Sequence, residues 1–246
     1  GFAVEALGWR VAYGVLAFLF ATAATLLWRQ VNATTPGVGS VHESSAPFSL
    51  AAYLDSTRQL LAMPRVRWVL AVVTIEGALA FGTLAFVPSR MVEGYGLSAA
   101  AAGGVMVLYG IGGLVYSLFA RRWLALLGEH GLALLGASAI AIGLLLLAWS
   151  PSVAWAVAGC FAAGLGFYML HNTLQTQATQ MAPQARGMAV TLFACLLFLG
   201  QSAGVFLMAL SVDRGWLVPV FTAAAVGVIA LGVVISRSLH RRSAAA

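Results

Sequence analysis

Residues 68 to 89 read WVLAVVTIEGALAFGTLAFVPS, a run bounded by Arg67 and Arg90 in which Glu76 is the only charged residue. A helix needs about 20 apolar residues to cross about 30 Å of hydrocarbon, and this run is long enough for one crossing. Glu76 stands eight residues beyond Trp68, which at about 1.5 Å rise per residue places it near the bilayer centre. An ionised carboxylate there costs about 2.5 to 3.5 kcal/mol even on the lenient insertion scale. The side chain must therefore face protein or water rather than lipid.

Similar runs occur on both sides of this one. Val11 to Trp28 lies between Arg10 and Arg29, and Gly94 to Ala120 between Glu93 and Arg121. The uncharged stretch from Gly131 to about Met181 is too long for a single crossing, and Trp149-Ser150-Pro151-Ser152 divides it, because proline removes a donor and biases the preceding residue away from helix. Gly187 to Val212 and Gly215 to Ser236 complete the set, joined by Asp213-Arg214. The chain thus reads as an all-α membrane protein with seven transmembrane helices.

Composition agrees. Of the 246 residues, 61% are hydrophobic and 8% charged, and the mean hydropathy is +0.95, whereas soluble domains carry about a quarter charged residues. The 13 basic residues are all arginine and the net charge is +6. They stand singly or in pairs at the ends of apolar runs, not as a stripe, which excludes nucleic acid as a partner and points to the lipid bilayer. With the C-terminus cytoplasmic, ten arginines fall on inner segments and Arg10, Arg90 and Arg214 on outer ones, so positive charge inside puts the N-terminus outside. Cys160 and Cys195 both lie within apolar runs, which gives no disulfide framework and no metal site. No secretory signal is visible, and a chain beginning at Gly1 reads as processed or truncated.

Residues 30–66 are the substantial polar segment, carrying Thr34-Thr35-Pro36-Gly37, Ser44-Ser45 and Pro47, and read as a cytoplasmic linker. Within it Leu50, Tyr53, Leu54, Leu60 and Leu61 recur at roughly helical spacing and Pro64 ends the pattern, which fits either a short interfacial helix or a partly ordered loop. The Asn32-Ala33-Thr34 sequon is a chance match on this side of the membrane.

Polar side chains in hydrocarbon mark helices that line something. The second run carries Thr74, Glu76 and Thr83; the third Tyr109, Tyr116 and Ser117; the fifth Tyr168, His171, Asn172, Thr173, Gln175 and Gln177; the sixth Thr191, Gln201 and Ser202. The fourth offers only Ser138 and the seventh only Thr222, while Thr22 and Thr25 of the first can bond back to their own helix. The first, fourth and seventh are therefore expected to face lipid. After the linker the order polar, polar, greasy occurs twice, as expected of a six-helix half built of two three-helix repeats.

Glu76 is the leading candidate for a proton or substrate site, with the alternative that it is a structural acid bonded to a neighbouring helix. Gln201, mid-way along the sixth run, fits a substrate contact or an interhelical bond. His171 and Asn172 are expected toward the cytoplasmic end of the fifth run, where a titratable imidazole is either solvated or part of a proton route. Gly103, Gly104, Gly110, Gly112 and Gly113 of the third run and Gly200 and Gly204 of the sixth have the spacing for close helix packing. No hydrolase, zincin or phosphate-loop signature is present, so no enzyme activity is expected. His130 is read as lying in a loop without partners.

Gly8-Trp9-Arg10 resembles the start of the sixth helix in the twelve-helix major facilitator superfamily. Ala182-Pro183-Gln184-Ala185-Arg186-Gly187 resembles the stretch before the eleventh helix, and Phe198-Leu199-Gly200-Gln201-Ser202-Ala203-Gly204 that helix itself. The likeness is to the family's proton-coupled drug and sugar efflux branch. It implies that 1–29 is the last helix of an N-terminal half, 30–66 the linker, 67–240 the C-terminal half and 241–246 a cytoplasmic tail.

The resemblance further implies alternating-access efflux of a small amphipathic solute in exchange for protons, with no cofactor besides H+. Its setting would be a bacterial inner membrane and its partner the missing N-terminal half. Glu76, Gln201, Tyr109, Asn172 and His171 would face the cavity; Arg121, Arg122, Pro183, Arg186 and Gly187 would fix the cytoplasmic gate. Gly113-Leu114 is followed by no Asp, so the family's Gly-x-Leu-x-Asp-Arg-x-Gly-Arg-Arg loop is incomplete. An importer or uniporter of the same fold is the nearest alternative. A non-transporting receptor or assembly factor is the alternative of another class, and its sign would be a sealed bundle with Glu76 buried and bonded.

Overall fold

A computed structural model of the chain describes residues 2–34 and 49–243, which are helical apart from short turns. Helix α1 (Phe2–Thr34) supplies the first crossing and α2 (Leu50–Ala62) is short. Helix α3 (Pro64–Tyr95) is the second crossing. The 51-residue α4 (Ala99–Trp149) is broken at Gly128, whose φ of 62° and ψ of 177° leave the helical region, and so provides the third and fourth crossings. Helices α5 (Val153–Gln180), α6 (Arg186–Val212) and α7 (Leu217–Ser243) are the fifth, sixth and seventh. The fold is thus an all-α membrane protein with seven crossings. The linker stretch 35–48, with Pro36, Gly37 and Pro47, and the tail residues 244–246 lie outside the described residues.

The apolar pattern at helical spacing within the linker is a helix, α2, and Met63 holds the N-cap position of α3 with Pro64 in its first turn, where proline is tolerated. The 121–127 stretch does not form a loop. Arg121 and Arg122 continue the third crossing as helix to the break at Gly128. His130 is likewise helical, and its ring lies 5.2 Å from that of His240, so it has a partner after all. In the exposed first crossing, Thr22 Oγ1 donates to Phe18 O and Thr25 Oγ1 to Ala21 O, which satisfies both hydroxyls within the helix.

The remaining six crossings pack by close backbone approach. The second and sixth meet where Gly77 and Gly82 face Leu197 and Gly204, and where Gly200 and Gly204 face Thr74 and Ala78. The third and fifth meet where Gly112 faces Phe161, Gly164 and Leu165. Gly136 and Gly143 of the fourth lie on Gly166 and Gly159 of the fifth, while Gly227 of the seventh lies on Leu79 of the second. The fourth and seventh touch at Ala137 and Gly232. Exchanging crossings two, three and four for five, six and seven turns the two–six contact into five–three and the four–five contact into seven–two. The four–seven contact maps onto itself. This is the contact pattern of two three-helix units related by a pseudo-two-fold axis.

The expectation that the fourth and seventh crossings face lipid holds for one face of each. Leu132, Ala133, Ala137, Ile140, Leu144 and Leu147 of the fourth are buried, whereas Leu134, Leu135, Ile142 and Trp149 are exposed. Phe221, Ala224, Ala225, Val228 and Ile235 of the seventh are buried as well. Apolar neighbours and lipid tails make the same demand on composition, so polarity alone does not separate them. Gly104 is exposed, and a Cβ there would meet nothing within 4 Å; it makes no helix contact among the described residues.

The second crossing is irregular just after Glu76. Gly77–Phe81 forms a π turn, and the helix is interrupted at Ala85–Phe86 before resuming at Val87. Pro88 lies in the first turn of the resumed segment and has no N–H to bond back to Leu84. Beyond it, Arg90 Nε donates to Leu147 O at 2.9 Å and Nη2 to Ala148 O at 3.0 Å. These are among the last carbonyls of the fourth crossing, which lack intrahelical partners. Tyr95 packs under the guanidinium at 4.9 Å and its hydroxyl donates to Ser150 O at 2.7 Å.

Two substitutions test this packing. A Cβ at Gly200 would collide with Thr74 O, so Gly200→Leu should destabilise the chain by about 1 to 3 kcal/mol, whereas Gly104→Ala should be neutral or stabilising by up to about 1 kcal/mol, both read from thermal unfolding in detergent. Arg90→Met leaves two carbonyls uncapped and should lower stability by about 1 to 3 kcal/mol in the same measurement.

Candidate functional site

Glu76 is fully buried, and its Oε2 lies 3.1 Å from His171 Nδ1. Oε1 is buried and has no hydrogen-bond partner among the described residues. The His171 side chain retains 17% exposure. The pair joins the second and fifth crossings, the leading helices of the two repeat units, and is the only ion-pair contact among the described residues.

Aromatic rings enclose it. His171 stacks on Phe167 with ring centroids 5.0 Å apart and planes at 11°, and Phe193 of the sixth crossing lies 5.5 Å away on a tilted approach. Phe167 in turn meets Phe81 edge-on at 4.6 Å and Tyr109 at 5.9 Å, and Tyr168 lies 6.4 Å from Tyr109. Tyr109 is within electrostatic reach of Glu76. Rings from four crossings thus form the wall that keeps water off the carboxylate. A cavity of about 10 Å3 lies between Tyr109, Cys160 and Phe167, enough for about one water molecule.

This arrangement has a specific chemical capacity. With a proton on His171 Nδ1, the ring donates to the Glu76 carboxylate and the two charges cancel. With that proton on Glu76, the carboxyl donates to a neutral ring nitrogen. Both arrangements keep the hydrogen bond and a net charge of zero, so the pair can hold one proton without leaving a bare charge in a low-dielectric interior.

The other candidate residues are placed differently. Asn172 Nδ2 donates to Tyr168 O on its own helix at 2.9 Å. It lines an open groove of about 490 Å3 with Tyr116, Ser117, Gln175, Thr176 and Thr179, between the third and fifth crossings. Gln201 is half-buried, and its backbone nitrogen lies opposite Gly77. Arg121 borders a smaller recess of about 170 Å3 with Glu129 and Thr173. Arg122, Pro183, Arg186 and Gly187 are exposed. Glu76, His171 and Tyr109 therefore lie together, while Asn172 and Arg121 belong to the neighbouring groove. Among the described residues no three His, Cys, Asp or Glu side chains converge as a metal site would require.

Sequence reasoning missed two features. It did not pair His171 with Glu76. It also gave no role to a chain at the arginine-rich end of the bundle, where Arg65 Nη2 donates to Gln177 Oε1 at 3.2 Å and Gln177 Nε2 donates to Glu129 Oε2 at 2.7 Å. One amide there links a cation on the second crossing, the fifth crossing itself and an acid at the start of the fourth. The signal available was Gln177 and Glu129, each polar at the end of an apolar run.

Two kinds of comparison returned nothing: no curated protein and no solved structure matches the chain. The family model of the Major Facilitator Superfamily matches residues 1–205. That match spans well over half of the sequence and includes Glu76, His171 and the rings around them, so the chain belongs to the Major Facilitator Superfamily, as a multi-pass membrane transporter.

Proposed function

We propose that this chain is part of a proton-coupled exporter working by alternating access, in which the Glu76–His171 pair carries the coupling proton. The observation that supports this most directly is the buried 3.1 Å contact between Glu76 Oε2 and His171 Nδ1, together with the unsatisfied Oε1. A pair of this kind passes through a water-free state at zero net charge and exchanges its proton once a neighbouring helix moves and admits water. The 17% exposure of the His171 side chain makes the ring the side from which a proton arrives. Gln201, Tyr109 and Asn172 belong to the substrate path in this reading, and a small amphipathic solute suits its mixture of rings, hydroxyls and amides.

The arrangement of the whole protein follows. Residues 67–240 are the C-terminal six-helix half, 1–29 the last helix of the N-terminal half, and 30–66 and 241–246 lie in the cytoplasm of a bacterial cell bounded by its inner membrane. The arginine asymmetry supports a cytoplasmic C-terminus. Arg121, Arg122, Pro183, Arg186 and Gly187 then lie at the cytoplasmic mouth. Export is favoured over import or uniport by the resemblance at residues 182–187 and 198–204. A non-transporting receptor would also hold Glu76 buried and bonded, and it is membership of a transporter family that weighs against that reading.

The test uses the full-length protein in proteoliposomes. Glu76→Gln should abolish solute accumulation driven by a proton gradient while leaving exchange of solute at equal concentrations, because the amide keeps a hydrogen bond to His171 but holds no transferable proton. His171→Gln should have the same split effect. Gradient-driven accumulation at the wild-type level in Glu76→Gln would remove the pair from coupling.

A further inference from the structure

The arginine-rich end of the bundle holds more positive charge than its described carboxylates neutralise. Glu129 is engaged by Gln177 and Asp55 accepts from Gln59 Nε2. Arg237 and Arg241 on α7 are exposed, and neither has an anionic partner among the described residues. Arg242 lies over the Trp68 ring at 4.9 Å, and its Nη1 is buried without an acceptor.

These groups border a groove of about 410 Å3 lined by Val234, Arg237, Ser238, Arg241 and Arg242. Val234, Arg237, Ser238 and Arg241 stand at i, i+3, i+4 and i+7, so they share one face of the helix. Toward the middle of the crossing the same face continues as an apolar strip, with Val234 53% and Val226 62% exposed. A rim of guanidinium and hydroxyl donors thus tops an exposed apolar strip. Guanidinium forks match phosphate oxygens bidentately. A soluble phosphate would satisfy the rim and leave the strip below it unused. A zwitterionic lipid would bring its own cation to a site already crowded with arginines.

We infer that this groove is a binding site for an anionic phospholipid. The phosphodiester lies among Arg237, Ser238 and Arg241, and the acyl chains run along Val234 and Val226. The negative charge also offsets the Arg242 guanidinium, whose Nη1 is buried without an acceptor beside Trp68, and so tightens the start of the second crossing, through Trp68, against the end of the seventh. Because that crossing carries Glu76, the lipid stabilises the helix on which the buried pair depends. The lipid site itself does not rest on the transport reading.

The full-length protein, purified in uncharged detergent, would be titrated with phosphatidylglycerol, phosphatidylcholine or inorganic phosphate, with bound lipid counted by native mass spectrometry and unfolding temperature recorded. Phosphatidylglycerol should be retained and should raise the unfolding temperature, and the other two should not. Arg237→Gln with Arg241→Gln should weaken phosphatidylglycerol binding by roughly fivefold per arginine removed, while Arg214→Gln at the opposite end should leave it unchanged. Both positions are exposed, so the double variant should fold, and a wild-type unfolding temperature without lipid verifies this. Undiminished phosphatidylglycerol binding in the folded double variant, equal retention of phosphatidylcholine, or equal stabilisation by phosphate alone would each overturn the assignment.

Discussion

A carboxyl group withdrawn from solvent must be neutral, or paired and hydrogen-bonded, because a bare charge in a low-dielectric interior is the costliest group a fold can contain. Glu76 meets that requirement through His171, and much of the surrounding structure can be understood as what brings the two side chains within 3.1 Å. The second crossing must come close to the fifth, and it does so with a π turn beginning at Gly77, directly after the acid. A π turn adds a residue to the helical circuit and re-aims the side chains around it. On the far side of the same helix, Gly200 and Gly204 allow the sixth crossing to approach the carbonyls of Thr74 and Ala78. The acid is thus held on a helix clamped from behind by backbone contact and from in front by an imidazole.

The two ends of the bundle are fastened by different chemistry. At one, Arg90 donates to the terminal carbonyls of the fourth crossing, a cation meeting the negative end of a helix. At the other, Gln177 sits between Arg65 and Glu129, so an amide separates an acid and a base that do not touch. The first fastening joins two helices of one repeat unit. The second joins the two units, since Arg65 and Glu129 belong to the first and Gln177 to the second.

How much of this was legible in the sequence depends on which physical signal each feature leaves. The crossings were legible because an apolar run bounded by arginines has one stable arrangement in a bilayer. The break at Gly128 was harder to place, since residues 121–127 carry helix-compatible side chains and nothing marks the turn before the glycine itself. The repeat was readable from polarity, but the assignment of the fourth and seventh crossings to lipid was only half correct, because Ala133, Ala137 and Ala224 are buried by neighbouring helices. The pairing of His171 with Glu76 was not legible, because polarity marks which crossings line something but not which side chains of two crossings meet. Helix α5 runs on to Gln180, nine residues past it, and at about 1.5 Å per residue this sets the imidazole about 13 Å inside the helix end.

The repeat also bears on why the pair is an acid and a base. Helices two and five occupy equivalent positions, so a strictly repeated sequence would place the same residue type on both. Two carboxylates at 3.1 Å could not both ionise, and two imidazoles could not both be protonated. Sharing one proton, two carboxylates would carry a net charge of −1 and two imidazoles a net charge of +1, so either pair would stay charged while buried. Glu76 opposite His171 avoids this: one proton shared between them leaves the site neutral wherever the proton resides, and the hydrogen bond survives the transfer. Divergence of the two repeat units at this one contact therefore lets a symmetric scaffold hold a titratable centre among Phe81, Phe167 and Phe193 without an unpaired charge.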